Sequence, residues 1–196
     1  MADFAQSMPE PMGLAEFLSF VDQQIATSRW ELIDGVPQMM TGGTAAHSLL
    51  ISNVLGLLDR AARARGCRAM TSFLAAVDDR NMYEPDVLVR CGPIQPAARS
   101  ASDPVIVVEV LSRSTIRRDR VLKFERYRSL ASVQQIIFVY QDSIRIESWM
   151  REHGDWRIEP TLHVQREDGL PVPTLGAFVP LADIYDGITP SPLNDD

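Results

Sequence analysis

Lysine is almost absent from this 196-residue chain: of its 19 basic residues, Lys123 is the one lysine and the other 18 are arginine. Cysteine is scarce too. Cys67 and Cys91 have no metal-ligand spacing and are too few for a disulfide framework, so we expect two small core residues in a reducing compartment. No apolar run approaches the roughly 18 residues of a transmembrane helix, and the N-terminus lacks a signal-peptide pattern. These absences predict a cytoplasmic protein without a membrane partner.

A positive net charge is also lacking. The formal net charge is −7, which argues against a protein that coats nucleic acid by charge alone. The basic residues are unevenly distributed, because seven of them stand against two acidic residues between positions 113 and 128, a local balance of 7 − 2 = +5. The basic members are Arg113, Arg117, Arg118, Arg120, Lys123, Arg126 and Arg128. Such a run on a helix is usually a solvated face, and the alternative is phosphate binding by Arg117 and Arg118.

The composition is that of an ordinary soluble protein, with 45% apolar and 23% charged residues. The length suits one domain with a substantial core. We find neither an internal repeat nor a linker, and therefore predict a single domain over residues 1–196. Its core spans about 13–186, and a flexible tail spans about 189–196.

Hydrophobic periodicity predicts a regular order of elements. An N-terminal helix and a hairpin turning at Asp34 and Gly35 come first, and a strand meander with a short closing helix comes last. Between them we expect a helix that Thr44 caps and Gly66 ends, with Leu50, Val54, Leu57 and Leu58 as its buried stripe. Three strands follow, with a loop at 91–104 before the third, and then a helix that Ser114 or Thr115 caps and a further strand. The predicted segments are 13–26, 29–40, 44–66, 67–77, 82–90, 104–111, 114–130, 133–140, 143–150, 155–164 and 178–187.

A carboxylate stands inside an otherwise unbroken apolar run, in the stretch DPVIVVEVLSRS. This run, with a proline before it and serines after it, indicates a strand buried on both faces. Alternation then puts Glu109 on one face with Val107 and Leu111. An unpaired carboxylate there would be costly or would stay protonated. Glu109 is therefore paired with an arginine, open to solvent at the strand end, or a metal-binding or catalytic group.

Asp86 follows Pro85 at the start of another apolar strand. Proline donates no hydrogen bond, so this position suits a strand entrance near solvent. If the two strands are neighbours, their backbones lie about 4.8 Å apart, and Asp86 and Glu109 on one face can hold one ion. Oxygen ligands favour Mg²⁺ or Mn²⁺. The alternative for Asp86 is a turn-capping role.

Lys123 lies on the predicted helix after the Glu109 strand. Being the one lysine, it indicates a need for a compact ammonium that arginine does not meet. Asp119 and Lys123 are four residues apart and share a helix face with Tyr127. The alternative is therefore an ordinary helical salt bridge, with Tyr127 packed against the sheet.

Together these segments resemble one known family. WELIDGVPQMM, AAHSLL, YEPDVLV, PVIVVEVLSRSTIRRDRVLKFERYR, IIFVY and PLADIY are similar to the Uma family of restriction-endonuclease-like proteins, within the PD-(D/E)xK nuclease superfamily, over roughly residues 13–186. The resemblance implies an α/β fold with a mixed sheet between helices, a restriction-endonuclease-like core, and metal-dependent phosphodiester hydrolysis. It makes Asp86 the aspartate of the PD motif and Glu109 the acidic residue of the next strand.

One position departs from the superfamily pattern. The lysine expected two residues after the acidic residue is replaced by Leu111, and the Uma-type pattern puts a lysine on the following helix, where Lys123 matches it. The resemblance also implies roles for Glu31, as a further carboxylate near the metal, and for His47, which would orient water or phosphate. Hairpin pairing and helix capping are their alternatives. Ser112 and Tyr127 are weaker candidates.

Two functions are consistent with the sequence. The first is a Mg²⁺- or Mn²⁺-dependent endonuclease acting on nucleic acid, with DNA favoured over RNA and a homodimer expected. Its catalytic residues would be Asp86, Glu109, Lys123, Glu31 and His47. The second is a noncatalytic interaction or oligomerisation protein that keeps the nuclease fold, which the net charge of −7 favours.

Overall fold

The computed structural model describes residues 11–40, 42–112 and 116–189, with the backbone alone for 116–119. Within these residues the chain forms four α-helices and fourteen strands. The helices are α1 (Leu14–Asp22), α2 (Ala45–Arg63), α3 (Ile116–Ser129) and α4 (Leu181–Ile184). The strands are β1 (Trp30–Ile33), β2 (Val36–Met39), β3 (Cys67–Met70), β4 (Leu74–Asp78), β5 (Asn81–Tyr83), β6 (Val87–Cys91), β7 (Ser100–Ala101), β8 (Ile106–Leu111), β9 (Gln135–Tyr140), β10 (Ile146–Glu152), β11 (Asp155–Trp156), β12 (Thr161–His163), β13 (Gly169–Val172) and β14 (Ala177–Pro180).

The larger sheet is mixed and has seven strands. Its order is β11-β10-β9-β8-β6-β3, and β12 also pairs with β10. Strands β8 and β9 are parallel, whereas β8 is antiparallel to β6 and β9 to β10. A parallel pair needs a crossover connection, and α3 supplies it. Because β8 and β9 are buried along their whole length, this sheet is covered on both faces.

The smaller sheet has five strands, in the order β2-β1-β5-β4-β7. Its hairpin turns at the predicted place, where Asp34 and Gly35 have φ angles of 49° and 81°. An Asp-Gly pair accepts these positive angles, which a two-residue hairpin turn requires. The hairpin matters for function because its first strand carries Glu31.

The two faces of the larger sheet bury different cores. On one face α2 packs through Leu50, Val54 and Leu58 against side chains such as Val108 and Val139. Leu57, predicted in the same stripe, is only partly buried there. On the other face α3 and the smaller sheet enclose a second core of Ala75, Tyr83, Leu88, Val107, Leu111, Tyr127 and Phe138. Side chains of β8 alternate between these cores, as its sequence predicted.

The helices mostly follow the predicted pattern. The side chain of Thr44 accepts a hydrogen bond from the His47 amide and so caps α2, as expected. Gly66 has a φ of 67°, which suits a glycine just past a helix end. The first helix is shorter than the predicted 13–26. It ends at Asp22, and Ile25, which was expected on its buried face, is 77% exposed.

Two segments predicted as single strands are each divided between the two sheets, and these predictions are wrong. Segment 67–77 forms β3 in the larger sheet and β4 in the smaller, with Ser72 at a φ of 52° between them. Segment 82–90 divides into β5 and β6 around Pro85. Proline has no N–H to continue a ladder, so the chain changes sheets there. Asp86 therefore stands where the two sheets meet.

The cysteine prediction also needs correction. Cys67 and Cys91 are directly opposed in the antiparallel register of β3 and β6, and the structure joins them in a disulfide. Cys67 is buried as predicted, and Cys91 is partly buried. Their separation of 24 residues did not reveal this pairing. The two cysteines thus give no argument for a reducing compartment.

The C-terminal part contains the predicted meander and closing helix, with some differences. Segment 155–164 forms two short strands, β11 and β12, that pair with different parts of β10. Strands β13 and β14 were not predicted, and the loop expected at 91–104 contains β7. The predicted helix caps Ser114 and Thr115 and the tail from 190 onward lie outside the described residues. Among the helices that are described, none is both long and apolar enough to cross a membrane.

Candidate active site

Two carboxylates occupy facing positions on neighbouring strands. Val87 of β6 lies opposite Val108 of β8, so the same antiparallel register sets Asp86 opposite Glu109. Side chains at facing positions point to the same face of a sheet. Both residues are 5% exposed. The predicted pairing of two acidic strands is therefore present, on the face that α3 covers.

Asp86 is held by a backbone amide and lies beside a histidine. Its Oδ2 atom accepts a hydrogen bond of 2.7 Å from the Val110 amide. His47, in the first turn of α2, places its Nε2 atom 3.4 Å from the same oxygen. Gly43 precedes this turn, and a side chain there would collide with the ring, since an added Cβ would stand 2.6 Å from His47 Nδ1. The loop before α2 thus leaves room for the histidine beside Asp86.

Glu109 receives two donors from α3. The ammonium of Lys123 lies 3.2 Å from Glu109 Oε1, and the hydroxyl of Tyr127 donates to the same oxygen at 2.6 Å. Lys123 and Tyr127 are four residues apart, so both project from one face of the helix. Tyr127 is fully buried, and its ring meets that of Tyr83 edge-on at 5.8 Å. The carboxylate is thus satisfied by a lysine and a tyrosine, not by an arginine or open solvent.

Glu31 brings a third carboxylate from the smaller sheet. Its Oε1 atom lies 2.9 Å from the Lys123 ammonium and accepts a hydrogen bond of 3.1 Å from the Glu84 amide. Arg29 in turn binds the Glu84 carboxylate at 2.7 Å. Glu31 is 7% exposed. Lys123 therefore bridges carboxylates of both sheets, which explains why a compact ammonium suits this position.

The site holds more negative than positive charge. Burial raises the pKa of Glu109 to about 8; Lys123 opposes this rise, whereas Asp86 and Glu31 add to it. Burial also raises the pKa of Tyr127, and the neighbouring Glu109 carboxylate adds to that rise. The buried cluster thus contains three acidic side chains, and its one ammonium binds two of them. A further cation would relieve their repulsion.

The residues at this site fit a divalent cation. Carboxylate oxygens are its preferred ligands, and Mg²⁺ commonly takes one or two carboxylates and completes its shell with water and substrate phosphate. In the described part of the chain, no three His, Cys, Asp or Glu side chains are arranged to hold a metal ion together. An ion at Asp86 and Glu109 would therefore depend on water and substrate oxygens for its other ligands.

Five predicted residues come together: Asp86, Glu109, Lys123, Glu31 and His47. They derive from both sheets and from α2 and α3. Ser112 directly follows β8 and is partly buried. The side chains of Arg117, Arg118 and Asp119 lie outside the described residues, so phosphate binding by the two arginines stays a prediction, as does the alternative pairing of Asp119 with Lys123.

Sequence reasoning missed a second buried carboxylate on the same sheet face. Glu147 of β10 is 1% exposed and binds Arg120, Arg145 and the hydroxyl of Tyr140. Burial alone would raise its pKa, but hydrogen bonds from the tyrosine and both arginines outweigh burial and leave the pKa lowered. The alternation of Arg145 and Glu147 within SIRIESWM was the available signal, because it puts both side chains on one face.

Comparison with known proteins gives relatives along nearly the whole chain. The chain is 30% identical over 191 residues to slr1290, an uncharacterised protein of Synechocystis sp., and the match covers 95% of each. A second uncharacterised Synechocystis protein, sll1609, is 26% identical over 142 residues, which cover 70% of this chain and 79% of sll1609. Neither name states an activity.

A solved structure has a similar fold, and a family model identifies the family. The crystal structure described as "a putative nuclease belonging to DUF820", from Anabaena variabilis ATCC 29413, superposes with a TM-score of 0.69 at 17% identity, covering 89% of this chain and 98% of that one. At this identity the likeness shows the fold alone, and it agrees with the predicted restriction-endonuclease-like core. The family model described as "Uma2: Putative restriction endonuclease" matches residues 14–182. The chain therefore belongs to the Uma2 family, as its sequence pattern predicted.

Proposed function

We propose that this chain is a divalent-metal-dependent endonuclease that hydrolyses phosphodiester bonds of DNA. The observation that carries the proposal is a buried cluster in which Lys123 binds Glu109 and Glu31, and Asp86 stands opposite Glu109 on the neighbouring strand. Burying three carboxylates against one ammonium costs folding free energy. A buried carboxyl with a raised pKa, such as that of Glu109, is typical of functional sites. The description of the Uma2 family supports the choice of reaction.

Asp86 and Glu109 would hold Mg²⁺ or Mn²⁺. When bound, such an ion polarises the scissile phosphate and lowers the pKa of a bound water. The Val110 amide orients the Asp86 carboxylate, and the Tyr127 hydroxyl orients that of Glu109. Both ligands would thus be positioned before the ion arrives, which limits the reorganisation needed on binding.

Lys123 would stabilise the attacking water or the charge that develops on the phosphate. Glu31 and Glu109 lie on either side of its ammonium and fix its position. An ammonium is also a compact charge, so it fits between two carboxylates where a planar guanidinium would not. Glu31 would act through this lysine.

His47 would bind water or phosphate at the mouth of the site. Its side chain is 18% exposed, compared with 6% for Asp86, so it lies on the solvent side of the cluster. It also stands in the first turn of α2, where backbone amides and the helix dipole favour an anion. A phosphate approaching Asp86 from this side would meet the histidine first.

A cleavage assay tests the proposal. Duplex DNA, single-stranded DNA and RNA are incubated with wild type in Mg²⁺, in Mn²⁺ and in a chelator, alongside Asp86→Asn and Glu109→Gln. We expect metal-dependent DNA cleavage that both variants lose. Asp103→Asn is the matched control, because that carboxylate pairs with Arg90 at the surface and is 51% exposed.

Thermal melting tests the metal separately from chemistry. An ion that binds only the folded state stabilises it, by about 2.7 kcal/mol when its concentration is 100 times Kd. Mn²⁺ should therefore raise the Tm of wild type and of Asp103→Asn, but not of Asp86→Asn or Glu109→Gln. Equal shifts in all four proteins would contradict the assignment of these ligands.

A second candidate is a noncatalytic interaction or oligomerisation protein with the nuclease fold. One observation favours it: Lys123 and Tyr127 already bind the Glu109 carboxylate, so the cluster has partners within the protein itself. The net charge of −7 points the same way. This candidate predicts neither cleavage nor a Tm shift with metal.

Two further expectations accompany the nuclease proposal. Cutting both strands of a duplex requires two such sites, so we expect a homodimer, which light scattering after gel filtration would measure. We also expect the protein to act in the cytoplasm, where its DNA substrate lies. Fractionation of cells that produce the tagged chain would test this location.

A further inference from the structure

Glu147 holds two arginines in fixed positions. Its Oε2 atom accepts a hydrogen bond of 2.7 Å from Arg120 Nε, and its Oε1 atom accepts one of 2.7 Å from Arg145 Nη2. The guanidinium of Arg145 also lies over the ring of Tyr140, 4.7 Å from its centre. Tyr140 in turn donates its hydroxyl to Glu147 at 2.7 Å. The carboxylate has three donors of its own and is therefore unsuited to binding a metal.

The two guanidiniums carry more positive charge than Glu147 neutralises. Two arginines against one carboxylate leave a local balance of 2 − 1 = +1. The side chains of Arg120 and Arg145 are 35% and 44% exposed, whereas Glu147 is 1% exposed, so both arginines reach the surface above a buried anchor. A guanidinium has five N–H donors, more than one shared carboxylate can accept. Such a pair suits an anion with several oxygens, and phosphate is the usual one.

This arginine pair lies in line with the carboxylates of the active site. Glu109 of β8 is opposite Phe138 of β9, and Phe138 is opposite Glu147 of β10. The two glutamates therefore stand on one sheet face, two strands and about 10 Å apart. Helix α3 spans both, because its Lys123 binds Glu109 and its Arg120 binds Glu147. A DNA strand has a phosphate every 3.4 Å or so along the helix axis, so a strand at Asp86 and Glu109 can present another phosphate to the pair.

We propose that Arg120 and Arg145, anchored by Glu147, form a binding site for a DNA phosphate near the one that is cleaved. The proposal rests on the proposed nuclease function and adds residues that fix the register of the DNA backbone. These arginines touch the substrate away from the reacting atoms. They contribute affinity and position and carry no sequence information.

Salt dependence of DNA binding tests this site. A fluorescent duplex is titrated with wild type, Arg120→Ala, Arg145→Ala and the double variant over a range of salt concentrations, with a chelator present to prevent cleavage. Each lost phosphate contact should flatten the slope of log K against log salt by about 0.9. The double variant should therefore flatten this slope by about twice as much as either single variant. Arg145→Lys should keep most of the slope, because it keeps the charge.

The chain contains a matched control. Asp59 also holds two arginines, with Arg63 and Arg68 each at 2.8 Å. It lies twelve residues along α2 from His47, which is about 18 Å of helix. Arg63→Ala should leave the slope unchanged. Melting curves of all variants show whether each is folded. If Arg120→Ala is not folded, the slopes of Arg145→Ala and Arg145→Lys still show whether the phosphate site exists.

The outcomes separate this site from the nuclease itself. If wild type cleaves DNA but Arg145→Ala has the slope of wild type and of Arg63→Ala, the phosphate site is wrong and the nuclease stands. If the slope flattens as expected but wild type cleaves nothing with Mg²⁺ or Mn²⁺, the phosphate site stands and the nuclease is wrong. If wild type does not bind DNA at all, both are overturned.

Discussion

Two glutamates on one face of the sheet have pKa values that are shifted in opposite directions. Glu109 and Glu147 are 5% and 1% exposed, and each accepts a tyrosine hydroxyl and a basic group of α3. Burial raises the pKa of Glu109 to about 8, whereas three donors outweigh burial and lower the pKa of Glu147. Burial and donor type are thus similar, and the charged neighbours differ.

The difference lies in how many charges of each sign stand nearby. Glu109 shares one ammonium with Glu31 and has Asp86 on the neighbouring strand. Glu147 has two guanidiniums. The first group lacks positive charge and is suited to a metal ion, and the second has positive charge in excess and is suited to a phosphate. Under the proposed function, one sheet face would hold both the metal ion and a neighbouring phosphate of the DNA.

The largest expected effect concerns the lysine. Lys123→Met and Lys123→Arg should fold and still bind Mn²⁺, but lose about 100-fold to 1000-fold in cleavage rate, on the order of 3 to 4 kcal/mol of transition-state stabilisation. The planar arginine fork cannot occupy the place of an ammonium between two carboxylates. The reverse exchange on the same helix, Arg120→Lys, is the control and should change cleavage only severalfold. A fully active Lys123→Met enzyme would remove the lysine from the mechanism.

The next effect concerns stability without metal. Glu147→Gln leaves Arg120 and Arg145 without their counter-charge, and should lower the free energy of unfolding by about 2 kcal/mol. The figure is below that for a fully buried pair, because both arginines are partly exposed to water. Glu109→Gln replaces a carboxyl whose ionised form is disfavoured by burial and by Asp86 and Glu31, and should cost less or even stabilise the apo protein. Urea denaturation compares the two, and an equal loss would contradict the proposed charge imbalance.

The lowered pKa of Glu147 predicts a pH dependence. A carboxyl with a folded-state pKa below its unfolded value of about 4.5 binds fewer protons when folded, so its stabilisation is present above that value and is lost as the pH falls through the folded-state pKa. The difference in Tm between wild type and Glu147→Gln should therefore shrink on acidification below about pH 4.5. Glu152→Gln, an exposed change on the same strand, is the control. A difference that stays constant with pH would contradict the linkage.

The smallest expected effect compares the two tyrosines. Tyr127→Phe removes a buried hydrogen bond of 2.6 Å to Glu109 and should cost about 1 kcal/mol. Tyr140→Phe should cost less, because two arginines still bind Glu147 at 2.7 Å, whereas the ammonium that still contacts Glu109 lies 3.2 Å away. Unfolding free energies from urea titration give both values. A larger loss for Tyr140→Phe would reverse the comparison.

Local patterns predicted the elements well and their assembly less well. The hairpin at Asp34 and Gly35 and the cap at Thr44 depend on backbone preferences of a few neighbouring residues, and both were predicted. The division of segments 67–77 and 82–90 between two sheets was missed. Which strands pair depends on contacts between residues distant in the chain, and a continuous apolar run does not reveal where the chain changes sheets.

The sequence by itself determined the family and singled out Asp86, Glu109 and the lone lysine as candidate site residues, because these depend on residue type and spacing. Only the tertiary structure decided that Lys123 bridges Glu31 and Glu109, and that Glu147 anchors Arg120 and Arg145. These contacts join residues from 2 to 92 positions apart. Strand register and the placement of α3 across the sheet set their distances, and both result from packing the whole chain.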